Sequence, residues 1–344
     1  MKYLNIIILA GLLMLTACEK SIEETPVIFD VSSTKTSKEP SSTFKTTDTI
    51  VYQLSGNADV VTFYSGIMGR RYEFKDRTTA DGTAQLQFSS LRASGTQTNS
   101  MQLLISSDFK GAVAKYKVIN GTVTRDTAAT SANIASANWT DISSRAAWST
   151  GSTTATPSGI VDLTDYAKQG KPVYIAFKYK AVTGSIQNKW TITNFAVNNL
   201  LPDNSVYTLA NFAASNQSIT NYGFNSPGLG WMSHYDENLN ANKYRWVYTT
   251  GVGTAGSLVI TGATTAAAAT ASAESWAIVG PVDLRKVTPD AGVAIKEITA
   301  KVLNYVSLPV YTAAGTYKPT FVASNNTVNG TSVVVKQLPI TINP

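Results

Sequence analysis

The segment Val173-Tyr174-Ile175-Ala176-Phe177-Lys178-Tyr179 decides the fold class that the sequence predicts. Its odd-numbered positions are all apolar or aromatic, and Tyr, Ala and Lys alternate with them. Successive side chains of a strand point to opposite faces, so this period of two predicts a strand with one face in a core. Similar short segments, separated by turn residues such as Ser55-Gly56-Asn57, recur on both sides of it. The sequence therefore predicts an all-β protein built of sandwiches.

The composition of the 344-residue chain supports this class and excludes others. Charged residues make up 15% and hydrophobic residues 43% of the chain, whereas a disordered chain carries more charge and fewer aromatic residues. The net charge of +6 comes from scattered basic residues, of which Arg70-Arg71 and Arg285-Lys286 are the densest pairs. Nucleic-acid binders gather their basic residues on one face or stripe, so we expect no nucleic-acid partner.

The amino terminus has the pattern of an export signal. A basic start precedes an apolar run over residues 4–15, which is shorter than the ~20 residues that span a bilayer. Leu15-Thr16-Ala17-Cys18 follows and resembles the bacterial lipobox, in which the Cys is lipidated and becomes the first residue of the mature chain. Cys18 is the only Cys in the sequence. We expect a signal peptide over residues 1–17, lipidation at Cys18 and a tether over residues 18–25.

Acidic residues follow the lipidation site at Glu19, Glu23 and Glu24. Acidic residues at this place resemble the surface-export signal of Bacteroidetes outer-membrane lipoproteins. The resemblance implies an outer-membrane lipoprotein that faces the cell surface and is held in the membrane by its lipid anchor. An anchor that faces the periplasm is the alternative.

The two ends of the mature chain each supply about half of a sandwich. An immunoglobulin-like domain needs about seven strands and about 80–100 residues, more than either end contains. We therefore predict one discontinuous immunoglobulin-like sandwich from residues 26–80 and 292–344. A larger jelly-roll sandwich over residues 81–291 would be inserted between its halves. Two consecutive domains that meet near residue 120 are the alternative.

Five short motifs of the middle segment point to its fold. They are Ser106-Ser107-Asp108-Phe109-Lys110-Gly111, Trp139-Thr140-Asp141-Ile142, Gly159-Ile160-Val161-Asp162-Leu163, the segment 173–179 and Lys189-Trp190-Thr191-Ile192-Thr193-Asn194-Phe195. Their succession resembles the jelly roll of cleaved adhesins and of choice-of-anchor extracellular bacterial proteins. A Trp-containing motif that precedes the others in that family follows them here, at residues 275–284. The resemblance implies a jelly roll that is circularly permuted, as suits an inserted domain whose ends meet.

The chain as a whole, from Val60-Val61-Thr62-Phe63-Tyr64-Ser65-Gly66 through Tyr72-Glu73-Phe74 to its end, resembles a family of Bacteroidetes surface lipoproteins. Members of that family look like accessory proteins of glycan-uptake systems of the starch-utilisation type. The resemblance implies a non-catalytic protein that binds a polysaccharide or oligosaccharide beside a glycan transporter complex. One alternative is an adhesin or structural surface protein with a protein partner.

The sequence offers few groups for catalysis. His234 is the only His, and we expect it on a polar loop over residues 231–240. No Gly-x-Ser-x-Gly elbow is present, so we predict no enzyme, no catalytic residue and no cofactor. A pair of carboxylates about 5–9 Å apart would suffice for a glycoside hydrolase, which stays a second alternative.

Asp141, Asp162 and Asp283 lie in turn motifs, where Asp side chains bond nearby backbone amides. We expect them to cap those turns. A structural Ca²⁺ ion bound by such oxygens is the alternative.

Aromatic residues in Gly-, Asn- and Ser-rich surroundings are the candidate ligand-binding residues. Trp and Tyr offer flat apolar surfaces with a polar handle, which suits the apolar faces of sugar rings. The predicted set is Trp148, Trp231, Tyr235, Arg245, Trp246 and Tyr248. A loop that packs back on the sandwich is the alternative for the residues after 230. Trp139, Trp190 and Trp276 lie in the fold motifs and are predicted to be core residues.

Overall fold

The computed structural model describes residues 26–116, 123–151, 153–211, 230–251, 254–300, 304–307, 311–328 and 330–344. The predicted signal peptide, Cys18 and the tether lie outside these residues. None of the helices within the described ranges is both long enough and apolar enough to span a membrane. The fold is all-β, as predicted. The chain divides into two compact units, which we call unit 1 (described residues up to Arg77, with Pro289–Pro344) and unit 2 (Thr78–Thr288).

Unit 1 begins with the strands β1 (Phe29–Thr34), β2 (Thr43–Lys45), β3 (Ile50–Gly56) and β4 (Val60–Tyr64), followed by a 3-10 turn at Tyr72–Phe74. Unit 2 contains β5 (Thr83–Ser94), β6 (Met101–Ser106), β7 (Val113–Tyr116), β8 (Val123–Asp126), β9 (Thr140–Asp141), β10 (Thr156–Pro157), β11 (Val161–Asp162), β12 (Val173–Ala181), β13 (Lys189–Leu200), β14 (Val206–Asn211), β15 (Gly230–His234), β16 (Val247–Gly251), β17 (Thr254–Thr261) and β18 (Ala273–Val282). Its helices are α1 (Thr127–Ser136) and α2 (Thr164–Ala167), with a 3-10 turn at Ser143–Arg145. The chain then returns to unit 1 with β19 (Val293–Lys296), β20 (Asn304–Ser307), β21 (Gly315–Tyr317), β22 (Thr320–Thr327), β23 (Gly330–Gln337) and β24 (Ile340–Asn343).

The sheets of unit 1 combine strands from both ends of the chain. A three-stranded sheet has the order β1-β3-β20, and a four-stranded sheet has the order β19-β4-β22-β23. A smaller sheet, β2-β24-β21, contains a parallel pair between β2 and β24. Aromatic residues fill the core: the ring of Phe63 lies 4.9 Å from that of Phe321 and 5.4 Å from that of Tyr52. The Tyr52 hydroxyl lies 3.3 Å from that of Tyr311, which donates to the Ser65 carbonyl.

A buried carboxylate, that of Asp290, links the two segments of unit 1 at the point where the chain leaves this unit and returns to it. Asp290 Oδ2 accepts from the backbone N–H and the Nε of Arg71, at 2.9 and 3.2 Å. The guanidinium groups of Arg71 and Arg77 lie over the ring of Phe74, at 4.4 and 3.9 Å from its centroid. The backbone N–H of Asp290 donates to the Phe74 carbonyl. These contacts join residues that are far apart in sequence at the boundary of the unit.

Unit 2 is a sandwich of two larger sheets. One has the order β10-β5-β13-β17-β16, with β11 also on β5 and β14 also on β13. The other is five-stranded, with the order β15-β18-β12-β6-β9. The segment 173–179 forms most of β12, and its odd-numbered residues lie in the core between the sheets, as predicted. The two ends of the unit are joined by backbone hydrogen bonds from Val287 to Thr78 and from Ala80 to Arg285.

The five-stranded sheet also carries a second apolar cluster on its outer face, away from the main core. Helix α1 covers this cluster with Ile134, and Asp126 caps the helix by accepting from the backbone N–H of Ala129 at 2.9 Å. The cluster comprises Leu104, Phe109, Ile134, Ala176, Met232, Trp276 and Ile278. The helix covers part of the outer face, and the part beside it forms the cleft described below.

Candidate functional site

A cleft of about 510 Å³ opens on the outer face of the five-stranded sheet; we call it the outer-face cleft. Its volume lies within the range of roughly 300–1,000 Å³ that is common for ligand pockets. Apolar and charged side chains both line it. They are Gln102, Leu104, Ser131, Ile134, Ala135, Ala137, Trp139, Asp141, Lys178, Lys180, His234, Asp236, Leu239, Glu274 and Trp276.

The strand register explains why polar groups gather here. Residues directly opposite each other on neighbouring strands share a face, and residues two positions along the strand lie on the same face. One row across the sheet, next to the helix, is apolar and belongs to the cluster that α1 covers: Met232, Ile278, Ala176 and Leu104. The next row lines the cleft: His234 on β15, Trp276 on β18, Lys178 on β12 and Gln102 on β6.

Lys178, Glu274 and Trp276 form a connected group at the centre of the cleft. The Lys178 ammonium lies 2.9 Å from Glu274 Oε2 and 4.4 Å from the centroid of the Trp276 ring. The Trp276 indole N–H donates to Glu274 Oε1 at 2.9 Å. The Lys178 and Glu274 side chains are only 16% and 24% exposed, so solvent screens their ion pair incompletely. Each member therefore fixes the position of the other two.

Trp139 forms the aromatic wall between this group and helix α1. Its ring is half-buried and lies 5.3 Å from the Trp276 ring, tilted by 48°. Its indole N–H donates to the Ile134 carbonyl at 3.0 Å. Trp139 gives the cleft a partly exposed apolar surface beside its charged groups, and Trp276, which is only 6% exposed, packs against that ring.

Asp141 and Gln102 occupy the end of the cleft at β9. Gln102 Nε2 donates to Asp141 Oδ2 at 2.8 Å, and the backbone N–H of Ser143 donates to Asp141 Oδ1 at 2.9 Å. Burial raises the pKa of Asp141, but the hydrogen bonds from Ser143 and Gln102 and the charge of Lys180 outweigh it. The pKa therefore lies below its ordinary value, and the group is a carboxylate at neutral pH.

His234 lies at the opposite end of the cleft and is not on a loop, so this prediction is wrong. It is the last residue of β15, where it lies opposite Trp276 and is buried under helix α1. Its Nε2 is 2.9 Å from the Ser131 hydroxyl. Nearby, the backbone N–H of Asn238 lowers the pKa of Asp236 against the effect of burial, with help from the Ser131 hydroxyl and the charge of His234.

Two of the predicted ligand-binding residues are core residues. Trp231 is 1% exposed and its ring packs at 4.8 Å on that of Phe195, while Trp246 is 2% exposed and lies 6.4 Å from Phe177. A ring without an exposed face has no surface on which a sugar could stack, so the prediction is wrong for both. The pairing of β15 with β18 places Trp231 opposite Val279, on the inner face.

The other predicted residues are not brought together. Tyr248 is half-buried against the main core, with its ring 6.0 Å from that of Trp231. Trp148 lines a second cavity of about 460 Å³, and its indole N–H donates to the Ser143 carbonyl. Tyr235 is half-buried and Arg245 is exposed, and neither lines the outer-face cleft.

The sequence prediction misses the outer-face cleft because it assigns Trp139 and Trp276 to the core. Trp276 is indeed buried, as is Trp190, but Trp276 lies on the outer face of its sheet and Trp139 is half-buried. A usable signal exists: Lys178 and Glu274 lie in central strands that are otherwise mostly buried. Charged residues at alternate positions of such strands indicate an accessible second face.

The three predicted turn-capping residues are confirmed. Asp141, Asp162 and Asp283 each accept from the backbone N–H two residues ahead, at 2.9, 2.8 and 3.0 Å. Within the described part of the chain, no group of three or more His, Cys, Asp or Glu side chains is placed to hold a metal ion. The structure thus assigns these carboxylates to turns, and the structural Ca²⁺ ion stays the alternative that it was in the sequence analysis.

Residues 17–217 match the model of a family described as a domain of unknown function (DUF5017). None of the curated proteins and none of the solved structures matches the chain. The matched residues include strands of both units and end before β15–β18, which complete both large sheets of unit 2.

Proposed function

The chain belongs to the DUF5017 family, whose model matches more than half of it, and we propose that it is a non-catalytic lipoprotein of the cell surface that binds a polysaccharide or oligosaccharide in the outer-face cleft. The observation that carries this proposal is the row of side chains across the five-stranded sheet. Together with Trp139 and with the carboxylates of Asp141 and Glu274, this row places aromatic, amide, ammonium and carboxylate groups in one open cleft. Sugars complement these groups: their apolar C–H faces can pack on an aromatic ring, and their hydroxyl groups can form hydrogen bonds with the polar side chains.

The shape of the cleft supports an elongated ligand. Its lining residues come from all five strands of the sheet, from His234 on β15 to Asp141 on β9. Neighbouring strands lie about 4.8 Å apart, so four spacings give the cleft a length of roughly 19 Å. A chain of sugar units fits such a groove better than a compact metabolite does.

Asp141 and Glu274, two of the three acids that line the cleft, lie too far apart to act as the catalytic pair of a glycoside hydrolase. Asp141 lies on β9 and Glu274 on β18, and two strands separate them in the sheet. Three strand spacings amount to roughly 14 Å. Glycoside hydrolases place their two carboxyl groups within about 9.5 Å of each other. Glu274 is also engaged by Lys178 and by the indole N–H of Trp276.

The proposed location follows from Cys18 and the acidic residues after it. Lipidation would hold the cleft at the outer face of the outer membrane and raise the local concentration of a weak binding site beside a glycan transporter complex. The test is the Cys18→Ser variant in whole cells. We expect it to leave the membrane fraction and to lose surface labelling, whereas membrane retention of this variant would contradict the anchor.

The binding proposal is tested by affinity gel electrophoresis against a panel of plant, host and microbial polysaccharides. Wild-type protein lacking residues 1–25 should be retarded by at least one glycan, without release of products on long incubation. Trp139→Ala should abolish the retardation. Trp148→Ala is the matched control, since it removes another half-buried Trp outside the cleft and should retain retardation. Circular dichroism confirms that both variants fold.

Two outcomes would contradict the proposal. In the first, no glycan retards the wild-type protein. In the second, Trp139→Ala is retarded as strongly as the wild type, which would place the binding site elsewhere. Release of sugar products would instead support the glycoside hydrolase alternative.

One observation favours the alternative of a protein partner for unit 1. Strand β23 is the last strand of the four-stranded sheet, and its Val333 and Val335 are 51% and 39% exposed. Apolar residues on an edge strand favour pairing with another chain. If unit 1 acts in this way, sedimentation velocity should show association that Val333→Lys abolishes. A monomeric wild type at high concentration would remove the support for self-association through this strand.

A further inference from the structure

We propose that the outer-face cleft selects neutral glycans and rejects glycans that carry carboxylate or sulfate groups. This inference rests on the proposed function. It comes from the fixed charges of the cleft, which are three carboxylates and two ammonium groups. The carboxylates are those of Asp141, Asp236 and Glu274, and the ammonium groups are those of Lys178 and Lys180.

Lys178 is not available to an anionic ligand. Its ammonium already contacts Glu274 at 2.9 Å and lies over the Trp276 ring at 4.4 Å. The Lys178 side chain is only 16% exposed. A ligand carboxylate that approached Lys178 would therefore meet the carboxylate of Glu274 at the same place.

Lys180 is exposed, but carboxylates accompany it as well. It lies directly opposite Glu274 in the pairing of β12 with β18. It is also close enough to Asp141 for its charge to lower the pKa of that carboxyl group. Both cations of the cleft thus face carboxylates of the protein itself.

The remaining carboxylate, Asp236, is held by the backbone N–H of Asn238 at 2.9 Å. The cleft therefore holds one more carboxylate than it holds ammonium groups, although the whole chain carries a net charge of +6. Carboxylate and amide oxygens accept hydrogen bonds from sugar hydroxyls, whereas like charges brought together cost binding free energy. The cleft offers acceptors to a neutral glycan and repulsion to an anionic one.

The experiment compares each glycan of the panel with a charged derivative of the same backbone, such as dextran with dextran sulfate and a β-glucan with its carboxymethylated form. Affinity gels are run at about 0.01 M and at about 0.15 M salt, because the net positive charge of the chain attracts any polyanion weakly and salt screens that attraction. At the higher salt concentration, we expect the neutral backbone to bind at least about tenfold more tightly than its charged derivative.

Glu274→Gln provides the sharper test, since it releases Lys178 while its amide oxygen can still accept from Trp276. In this variant, the ratio of the affinity for the neutral backbone to that for its charged derivative should fall by about tenfold. Glu237→Gln is the control: Glu237 pairs with Lys243 at 3.0 Å on the surface, outside the cleft lining, and its replacement should leave the preference unchanged.

The outcomes separate the two proposals. Equal or tighter binding of the charged derivatives at the higher salt concentration, lost in Trp139→Ala, would overturn the selectivity and leave glycan binding in the cleft intact. An unchanged preference in Glu274→Gln would also overturn the selectivity. Failure of every backbone, neutral and charged, to retard the wild-type protein would overturn the proposed function itself.

Discussion

The inner and outer faces of the five-stranded sheet differ in kind although the same strands form them. Phe177 lies in the main core, and its neighbour Lys178 lies in the cleft. Ala277 lies in the core in the same way, beside Trp276 in the cleft. Tryptophans occur on both faces, where they have different surroundings. A one-residue step along a strand therefore separates residues that stabilise the sandwich from residues that are available to a ligand.

This contrast bears on how aromatic residues are interpreted. Trp231 packs among Phe195 and Tyr248 and has no exposed face, whereas Trp139 has one side toward an open cleft. The type of residue is the same in both places. What differs is whether a second sheet or only a short helix covers the face on which the ring lies.

The largest expected effect is a difference between the two faces in how much a Trp→Ala substitution lowers the free energy of unfolding. Trp231→Ala should lower the free energy of unfolding by about 3–5 kcal/mol, because it removes a large, fully buried ring and leaves a cavity. Trp139→Ala should cost less than half as much, since its ring is only half-buried. Urea denaturation followed by circular dichroism measures both. Equal losses in the free energy of unfolding for the two variants would contradict the difference in burial between the inner and outer faces.

A smaller effect tests whether Lys178, Glu274 and Trp276 act as one group. Glu274→Gln should cost about 1–2 kcal/mol, because it leaves a partly buried ammonium without its carboxylate. Lys178→Met keeps the aliphatic packing on the Trp276 ring and should cost less. In a double-mutant cycle from urea denaturation, we expect a coupling energy of about 1 kcal/mol. Additive losses would contradict the connection between the two side chains.

The smallest effect concerns pH. The lowered pKa of Asp141 means that its carboxylate stabilises the folded protein at pH values above its ordinary pKa of about 4. This contribution is lost as the pH falls through the folded-state pKa. Asp141→Asn should cost less than about 1 kcal/mol at pH 7, because the group is largely exposed. The difference from the wild type should shrink as the pH falls below about 4, and a difference independent of pH would contradict the ionised state.

Features that depend on neighbouring residues could be predicted from the sequence. The alternation over residues 173–179 predicted β12 and its core-facing side chains, since one strand is enough to show the period. Asp141, Asp162 and Asp283 were assigned to turns because each carboxylate bonds a backbone N–H only two residues away.

The burial of Trp231 and His234 depends on pairing between distant segments and could not be predicted. The Asn-rich stretch after Trp231 favoured an exposed loop, but the ring faces the core because β15 pairs with β18. His234 is buried for the same reason, since Trp276 lies opposite it and Ser131 of helix α1 contacts it. No local pattern states which face of a sheet a helix will cover. The location of the cleft depends on that choice.

The hydrogen bonds that join Thr78 to Val287 and Ala80 to Arg285 have a consequence for how such a protein can be assembled from parts. Because both ends of unit 2 meet, a single uninterrupted stretch of gene, encoding residues 78–288, specifies the complete cleft. That stretch can be exchanged for another without changing the strands of unit 1. The same unit 1 could thereby be combined with a different cleft in a single recombination event.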